Sequence, residues 1–252
     1  VPDCLIPEET VSVRPVSVKT VSVKTLSAKM VSVKNVTLCY GPASNRFRAL
    51  DDVSLDFAPG SLTVVSGPSG SGKTSLLSVM ACLVSPDAGS VAIDGQDTGK
   101  LNQSGRARLR AEKIGFVFQA FRLFKSLSAL ENVELGARIA GAPPNRSLAR
   151  ARLIEFGLGH RLDECPDALS GGEKQRVAIA RALIHDPPII LADEPTASLD
   201  SHAGERICEL LRRVAEELGR TVVVVTHDQR WAGFANRIVT LSDGRVVEDK
   251  TL

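Results

Sequence analysis

Gly67-Pro68-Ser69-Gly70-Ser71-Gly72-Lys73-Thr74 fits the phosphate-binding pattern G-x-x-x-x-G-K-[ST] at every fixed position. Ahead of it, Leu62-Thr63-Val64-Val65 is a short β-branched apolar run that reads as a buried strand. Behind it, Leu76, Leu77, Val79, Met80 and Leu83 recur at helical spacing. The loop therefore lies where a strand hands over to a helix. Glycines let successive N–H groups converge on phosphate, and the positive end of the helix dipole favours the anion. Lys73 is expected to reach the β- and γ-phosphates and the Thr74 hydroxyl to bind Mg²⁺. Gly67 through Ser75 form the candidate nucleotide-binding segment.

Composition sets bounds around this. At 252 residues the chain is long enough to bury a substantial core, and an apolar fraction of 43% is ordinary for a globular protein. The net charge of +2 demands neither nucleic acid nor an acidic partner. No apolar run reaches bilayer length, and the N-terminus shows no basic segment followed by an apolar core, so no secretory signal is expected. Cys4, Cys39, Cys82, Cys165 and Cys208 are odd in number and lack C-x-x-C spacing. They read as small core residues in a reducing cytoplasm, with no disulfide framework or zinc site.

Residues 11–35 carry a five-residue tandem repeat, of which Val16-Ser-Val-Lys-Thr and Val31-Ser-Val-Lys-Asn35 are typical copies. The odd period throws each valine pair onto the face opposite the one before, so no continuous apolar face results. Residues 1–30 therefore read as a weakly ordered extension with the biological start at Met30, and the last copy as the first strand of a domain covering 31–252. Leu50, Val53, Leu55 and Phe57 follow a polar turn over Pro42 to Arg48. From Leu101 to about Leu169 the chain looks like an inserted helical region around an Ile114 to Phe118 strand, its Arg106 to Arg110 cluster a charged helix face. Strands at Ile189 to Ala192, Val222 to Val225 and Ile238 to Leu241 then alternate with helices, implying an α/β fold with a parallel sheet flanked by helices.

Ile189 to Glu194 is an apolar strand ending in two adjacent carboxylates, delivered to the sheet edge where the phosphate loop also opens. Asp193 is expected to hold Mg²⁺. Glu194, facing the other way, is expected to orient or deprotonate the attacking water. Leu169-Ser170-Gly171-Gly172-Glu173, followed by Lys174-Gln175-Arg176, resembles the signature sequence of ABC-type ATPases. In that family's order, Tyr40 resembles the aromatic that stacks on adenine, and Gln119 the glutamine linking nucleotide to membrane partner. Ser198-Leu199-Asp200 resembles the loop that crosses between protomers, and His227 the switch histidine at the γ-phosphate. His160, His185 and His202 lack such context and read as solvated.

The resemblance implies ATP and Mg²⁺ as ligands, the metal held by Thr74, Asp193 and Gln119, with Glu194, His227 and Gln119 catalytic. It implies an N-terminal antiparallel β subdomain and an inserted helical subdomain, about 101–175, carrying the signature. It also implies a homodimer in which Ser170, Gly171, Gly172, Glu173 and Asp200 serve the nucleotide bound by the opposite subunit. Finer motifs, Phe118-Gln119-Ala120-Phe121 and Thr226-His227-Asp228-Gln229-Arg230 among them, are similar to the lipoprotein-release, macrolide-export and heterocyst glycolipid exporter group. That group implies a separate permease docking beside Gln119 to Val133, a membrane-fusion adaptor, and a site of action at the cytoplasmic face of the plasma membrane. The alternatives are a regulatory ATPase of the cell-division type and an ABC ATPase with no membrane partner.

Overall fold

The computed structural model describes residues 29–42 and 45–252. The repeat copies up to Ala28, the weak order expected of them, and Cys4 lie outside the described residues. The chain runs β1 (Val31–Tyr40), β2 (Phe47–Phe57), β3 (Leu62–Ser66), α1 (Lys73–Met80), β4 (Ala88–Ile93), β5 (Gln96–Asp97) and α2 (Gln103–Lys113). It continues through β6 (Ile114–Val117), α3 (Ala129–Ile139), α4 (Arg146–Glu155), α5 (Gly171–Leu183), β7 (Ile189–Asp193) and α6 (Ser201–Glu216). It ends with β8 (Thr221–Val225), β9 (Arg237–Ser242) and β10 (Arg245–Thr251).

Two sheets result. One is antiparallel, in the order β2-β1-β4-β5. The other has the order β10-β9-β3-β8-β7-β6, parallel except for β10, which returns antiparallel on β9. In the last repeat copy, a register shift between Val33 and Val36, with Asn35 at φ 48°, absorbs the odd step. Val31, Val33, Val36 and Leu38 are thereby all buried.

The larger sheet separates two hydrophobic cores. Leu62, Val64, Ile190, Ala192, Val222 and Val224 enter one, together with residues of α3, α4, α5 and α6. Val65, Ile189, Leu191, Val223 and Val225 enter the other, with α1, Leu109 of α2 and the antiparallel sheet. Cover on both faces explains why β7 and β8 read as unbroken apolar runs. The same arrangement brings the carboxyl ends of β3, β7 and β8 to one edge.

Several expectations are corrected. Helix α1 stops at Met80, and Cys82 takes φ 54°, so Leu83 leaves the buried face and is 53% exposed. Phe47 and Arg48 belong to β2 rather than to the turn. The strand expected amid the inserted region is β6, which pairs with β7 as the edge of the parallel sheet. Arg106 Nε donates to the carbonyls of Thr98 and Leu101, and Arg110 Nη1 to that of Cys82, so these two arginines brace turns, while Arg108 stays exposed beside Glu112 as the charged face expected. Cys82 and Cys208 are buried, but Cys39 is half-buried and Cys165 exposed. Burial pushes the Cys208 thiol up to about 12, the character of an inert core residue.

Helix α5 is clasped from two sides by glycines. A Cβ at Gly115 of β6 would overlap the Ala182 carbonyl and lie 2.7 Å from Ile190 Cδ1. A Cβ at Gly136 of α3 would overlap the Arg181 carbonyl and lie 2.8 Å from Arg181 Cγ. Helix propensity alone favours alanine over glycine at position 136 by about 1 kcal/mol. Overpacking against a backbone carbonyl costs about 1–3 kcal/mol and wins. Gly136→Ala is therefore expected to lower unfolding stability in urea, and an increase would show that the helices can part without penalty.

Candidate active site

The loop from Gly67 to Gly72 joins β3 to α1 with Gly67, Gly70 and Gly72 all at positive φ. Gly72 is the N-cap of α1, at φ 101°, and a Cβ there would overlap the Ala49 carbonyl and lie 3.1 Å from Leu50 Cδ2. A capping serine is thus excluded by packing. The helix has no side-chain cap and no acidic residue in its first turn, which leaves its first N–H groups and positive dipole end to an anion. Lys73 Nζ donates to the carbonyls of Gly67 and Pro68, each at 2.8 Å, within a nearly buried side chain. The turn between β9 and β10 braces the loop from below, Gly244 N–H donating to the Ser71 carbonyl at 3.1 Å. Ser71 Oγ is buried with no protein partner.

The carboxylates arrive from β7. Asp193 Oδ1 accepts from Thr74 Oγ1 at 3.4 Å, and burial raises the Asp193 carboxyl above its usual range, with the Thr74 hydrogen bond opposing. Glu194 takes φ 46°, so it does not face away from Asp193 as strand alternation predicts. Both line one cavity. Glu194 Oε2 accepts from Thr226 Oγ1 at 2.9 Å, and Glu194 Oε1 lies 2.7 Å from His227 Nδ1.

That cavity, of about 680 Å³, is lined by Pro68, Ser69, Gly70, Gly72, Lys73, Thr74 and Ser75, with Gln119, Asp193, Glu194 and His227. Tyr40 and Phe47 form its apolar side, 44% and 61% exposed, directly opposite each other across β1 and β2. Phe47 is not among the site residues expected from sequence; its place opposite Tyr40 comes from the β1–β2 register. Alternation running back from Val53 was the available signal. Gly67 and Ser71 stand behind the lining as supports.

The signature segment lies elsewhere. Ser170 caps α5: its Oγ accepts from Glu173 N at 3.3 Å, and its N–H donates to Glu173 Oε2 at 2.8 Å. Those hydrogen bonds hold the Glu173 carboxyl below the usual range, and Arg161 Nε donates to it at 3.2 Å. Asp200 caps α6 by accepting from Ala203 N at 2.8 Å. Ser170, Gly171, Gly172, Glu173, Ser198, Leu199 and Asp200 line a separate hollow of about 520 Å³. His160 and His202 are exposed as expected. Both ring nitrogens of His185 are instead buried without partners, and burial lowers its pKa.

An uncapped helix start with a lysine, a threonine hydroxyl and two carboxylates fits a nucleoside triphosphate. Oxygen donors at Thr74 and Asp193 fit Mg²⁺, which keeps several waters and needs only one or two protein ligands beside phosphate. Fold and site define a phosphate-loop nucleoside triphosphatase.

A profile of the ABC transporter family matches residues 50–197. The macrolide export ATP-binding/permease protein MacB of Aggregatibacter actinomycetemcomitans is 45% identical over 212 residues, covering 83% of this chain and 33% of that protein. MacB of Shewanella sp. strain ANA-3 is 42% identical over 220 residues, covering 85% and 33%. The chain spans about a third of the length of these curated relatives. Among solved structures, the ATP-binding cassette MJ0796, dimeric in a post-hydrolysis state with ADP and Pi, matches at TM-score 0.81 and 45% identity, covering 88% of this chain and 99% of that one. CbiO1 of Clostridium perfringens, part of the cbiONQ transporter complex, matches at TM-score 0.79 and 28% identity, covering 89% of each. The chain belongs to the ABC transporter family and is an ATPase domain of it.

A lysine ammonium on phosphate makes charge-assisted hydrogen bonds, each worth about 1.5–3 kcal/mol. Lys73→Ala is therefore expected to raise the Kd for ATP by about 10- to 100-fold, measured with a fluorescent nucleotide. Unchanged affinity would remove Lys73 from the phosphate site.

Proposed function

We propose that this chain is one of two copies that sandwich two ATP molecules head to tail, energising export through a membrane permease. One observation carries the reading: the cavity of the phosphate loop includes Lys73, Thr74, Asp193, Glu194 and His227 but none of residues 170–173, which line a separate hollow. A site divided in this way is completed by a second copy, whose Ser170 and helix N-terminus supply further donors to phosphate. The dimeric form of the MJ0796 cassette supports this.

Within one site, Glu194 is the general base, fixed by Thr226 on one oxygen and His227 on the other. His227 has Nδ1 engaged by Glu194, which leaves Nε2 for the γ-phosphate. Tyr40 stacks on adenine, with Phe47 extending the apolar wall. Thr74 and Asp193, with Gln119 on the same cavity wall, would hold Mg²⁺. When bound, the metal offsets charge on the phosphate oxygens.

The permease contact is a groove of about 570 Å³ between α2, β6, α3 and the end of α5, reached from Gln119 through Phe118. Leu83, Phe124 and Ile139, which are 53%, 52% and 66% exposed, line it together. Three large apolar side chains gathered in one open groove suit a partner helix. Phe121 and Leu123, expected to share this role, are half-buried, and Leu123 packs on the main core. The relatives' name, ATP-binding/permease, supports the choice of partner, and among the described residues no helix is long and apolar enough to cross a membrane. The working location is the cytoplasmic face of the membrane, with a membrane-fusion adaptor as a further component.

Glu194→Gln keeps the hydrogen-bonding shape and removes basicity, so ATP should bind while turnover falls by about 10²–10⁴-fold. Near-normal hydrolysis would exclude Glu194 as base. Mixing Lys73→Ala with Ser170→Arg chains places both defects in one of two shared sites and leaves the other intact. Partial recovery of ATPase rate is expected, and a mixture as inactive as its parents, with heterodimers demonstrated, would defeat the composite site. Phe124→Asp should abolish co-purification with the cognate permease at an unchanged melting midpoint. Retained association at that midpoint would move the contact elsewhere.

A further inference from the structure

One arginine ties the loop at the protomer-crossing motif to the catalytic pair. Thr226 Oγ1 donates to Glu194 Oε2 and accepts from Asp228 N–H at 3.0 Å. The Asp228 carboxylate accepts from Thr196 Oγ1 at 2.7 Å and from the backbone N–H of Arg230 at 3.0 Å. It also takes both Nε of Arg230, at 2.9 and 3.0 Å, and Nη2 at 2.7 Å. The other end of the same guanidinium, Nη1, donates to the carbonyls of Asp200 and Ser201 at 3.3 and 3.2 Å. The backbone from Glu194 to Asp200 is thereby closed into a ring by Arg230, Asp228 and Thr226.

Two features mark the strut as built for this contact. It brings a cation to the first turn of α6, the end where the helix dipole disfavours positive charge. The helix also has glycine at position 204, where a Cβ would overlap Arg230 Nη1 and lie 2.8 Å from Cζ. Glycine is a poor helix former, and here it leaves the guanidinium room to lie on the helix backbone. Asp228 is held below the usual carboxylate range: burial raises it, and the hydrogen bonds from Arg230 and Thr196 more than offset that. The pair is therefore charged at neutral pH.

We infer that Arg230, seated on Gly204, is a positioning residue that keeps the Ser198-Leu199-Asp200 loop in register with Glu194 and His227. The inference rests on the assignment of Glu194 as general base. Because the loop borders the hollow of Ser170, a shift there changes how the second copy meets the first. Arg230 does not line the cavity of the phosphate loop; it acts on turnover through geometry.

The test is a cycle of Arg230→Met, Gly204→Ala and the double variant, with kcat, the Kd for ATP and melting midpoint measured for each. The guanidinium is the far end of a flexible side chain, so Gly204→Ala displaces it and keeps the fold. Each single variant should lower kcat by about 10- to 100-fold, the scale of a misplaced catalytic group, with the Kd unchanged within error. The double variant should be no slower than Arg230→Met. A glycine with no such role predicts the opposite for Gly204→Ala, a higher melting midpoint at the parent's kcat, and that result overturns the proposal. Multiplied losses in the double variant, or kcat losses matched by weaker ATP binding, overturn it as well. Failure of the underlying reading is seen separately, as normal turnover by Glu194→Gln.

Discussion

A helix that is to receive an anion must leave its first N–H groups without protein acceptors, and the rest of this molecule follows from meeting that condition. A serine at the N-cap of α1 would stabilise the helix and fill the site. Gly72 prevents this by packing on the Ala49 carbonyl, so the antiparallel sheet keeps the helix end bare. Lys73, pulled back onto the Gly67 and Pro68 carbonyls, then supplies positive charge without closing the cradle. The two sheets are therefore joined at the point where the chemistry needs a vacancy in the capping pattern.

A second condition concerns the carboxylates. A strand delivers consecutive side chains to opposite faces, yet Asp193 and Glu194 line the same cavity. Left-handed backbone at Glu194 resolves the conflict, and the hydrogen bond from Glu194 N–H to the Val225 carbonyl, at 2.9 Å, holds the turn. Such conformations at a non-glycine residue cost energy and persist where surrounding contacts fix them. Thr226 and His227 provide those contacts from the next strand.

The parts legible in sequence were those in which one chemical demand fixes residue types over a few neighbouring positions. The phosphate loop, the acidic end of β7 and the signature stretch at Ser170 are of this kind. The parts that were not legible depend on distant partners. Helix α3 falls in the region read as helical, but its bounds were not legible because buried Asn132 and Glu134 interrupt its apolar stripe. Asn132 is satisfied by the carbonyls of Phe124, Leu127 and Ser128, and Glu134 by Arg146. The place of β6 in the parallel sheet, the facing of Phe47 and Tyr40, and the burial of His185 are likewise products of tertiary packing. The odd period of the repeat argued against a shared face, and the shift at Asn35, with a further one between Val36 and Leu38, restores one from Val31 to Leu38.

The bracing of the phosphate loop by the turn between β9 and β10 bears on how the protein is made. Gly244 N–H holds the Ser71 carbonyl, the Leu241 carbonyl fills the space beside Gly67, and Asp51 N–H donates to the Gly244 carbonyl. The floor of the cradle thus comes from residues translated about 170 positions after the loop itself, as the spacing from Ser71 to Leu241 shows. On the ribosome the loop emerges early and stays without its support through synthesis of the helices and of β7 and β8. The loop therefore gains its last packing contacts only after β9 and the turn that follows it have been synthesised.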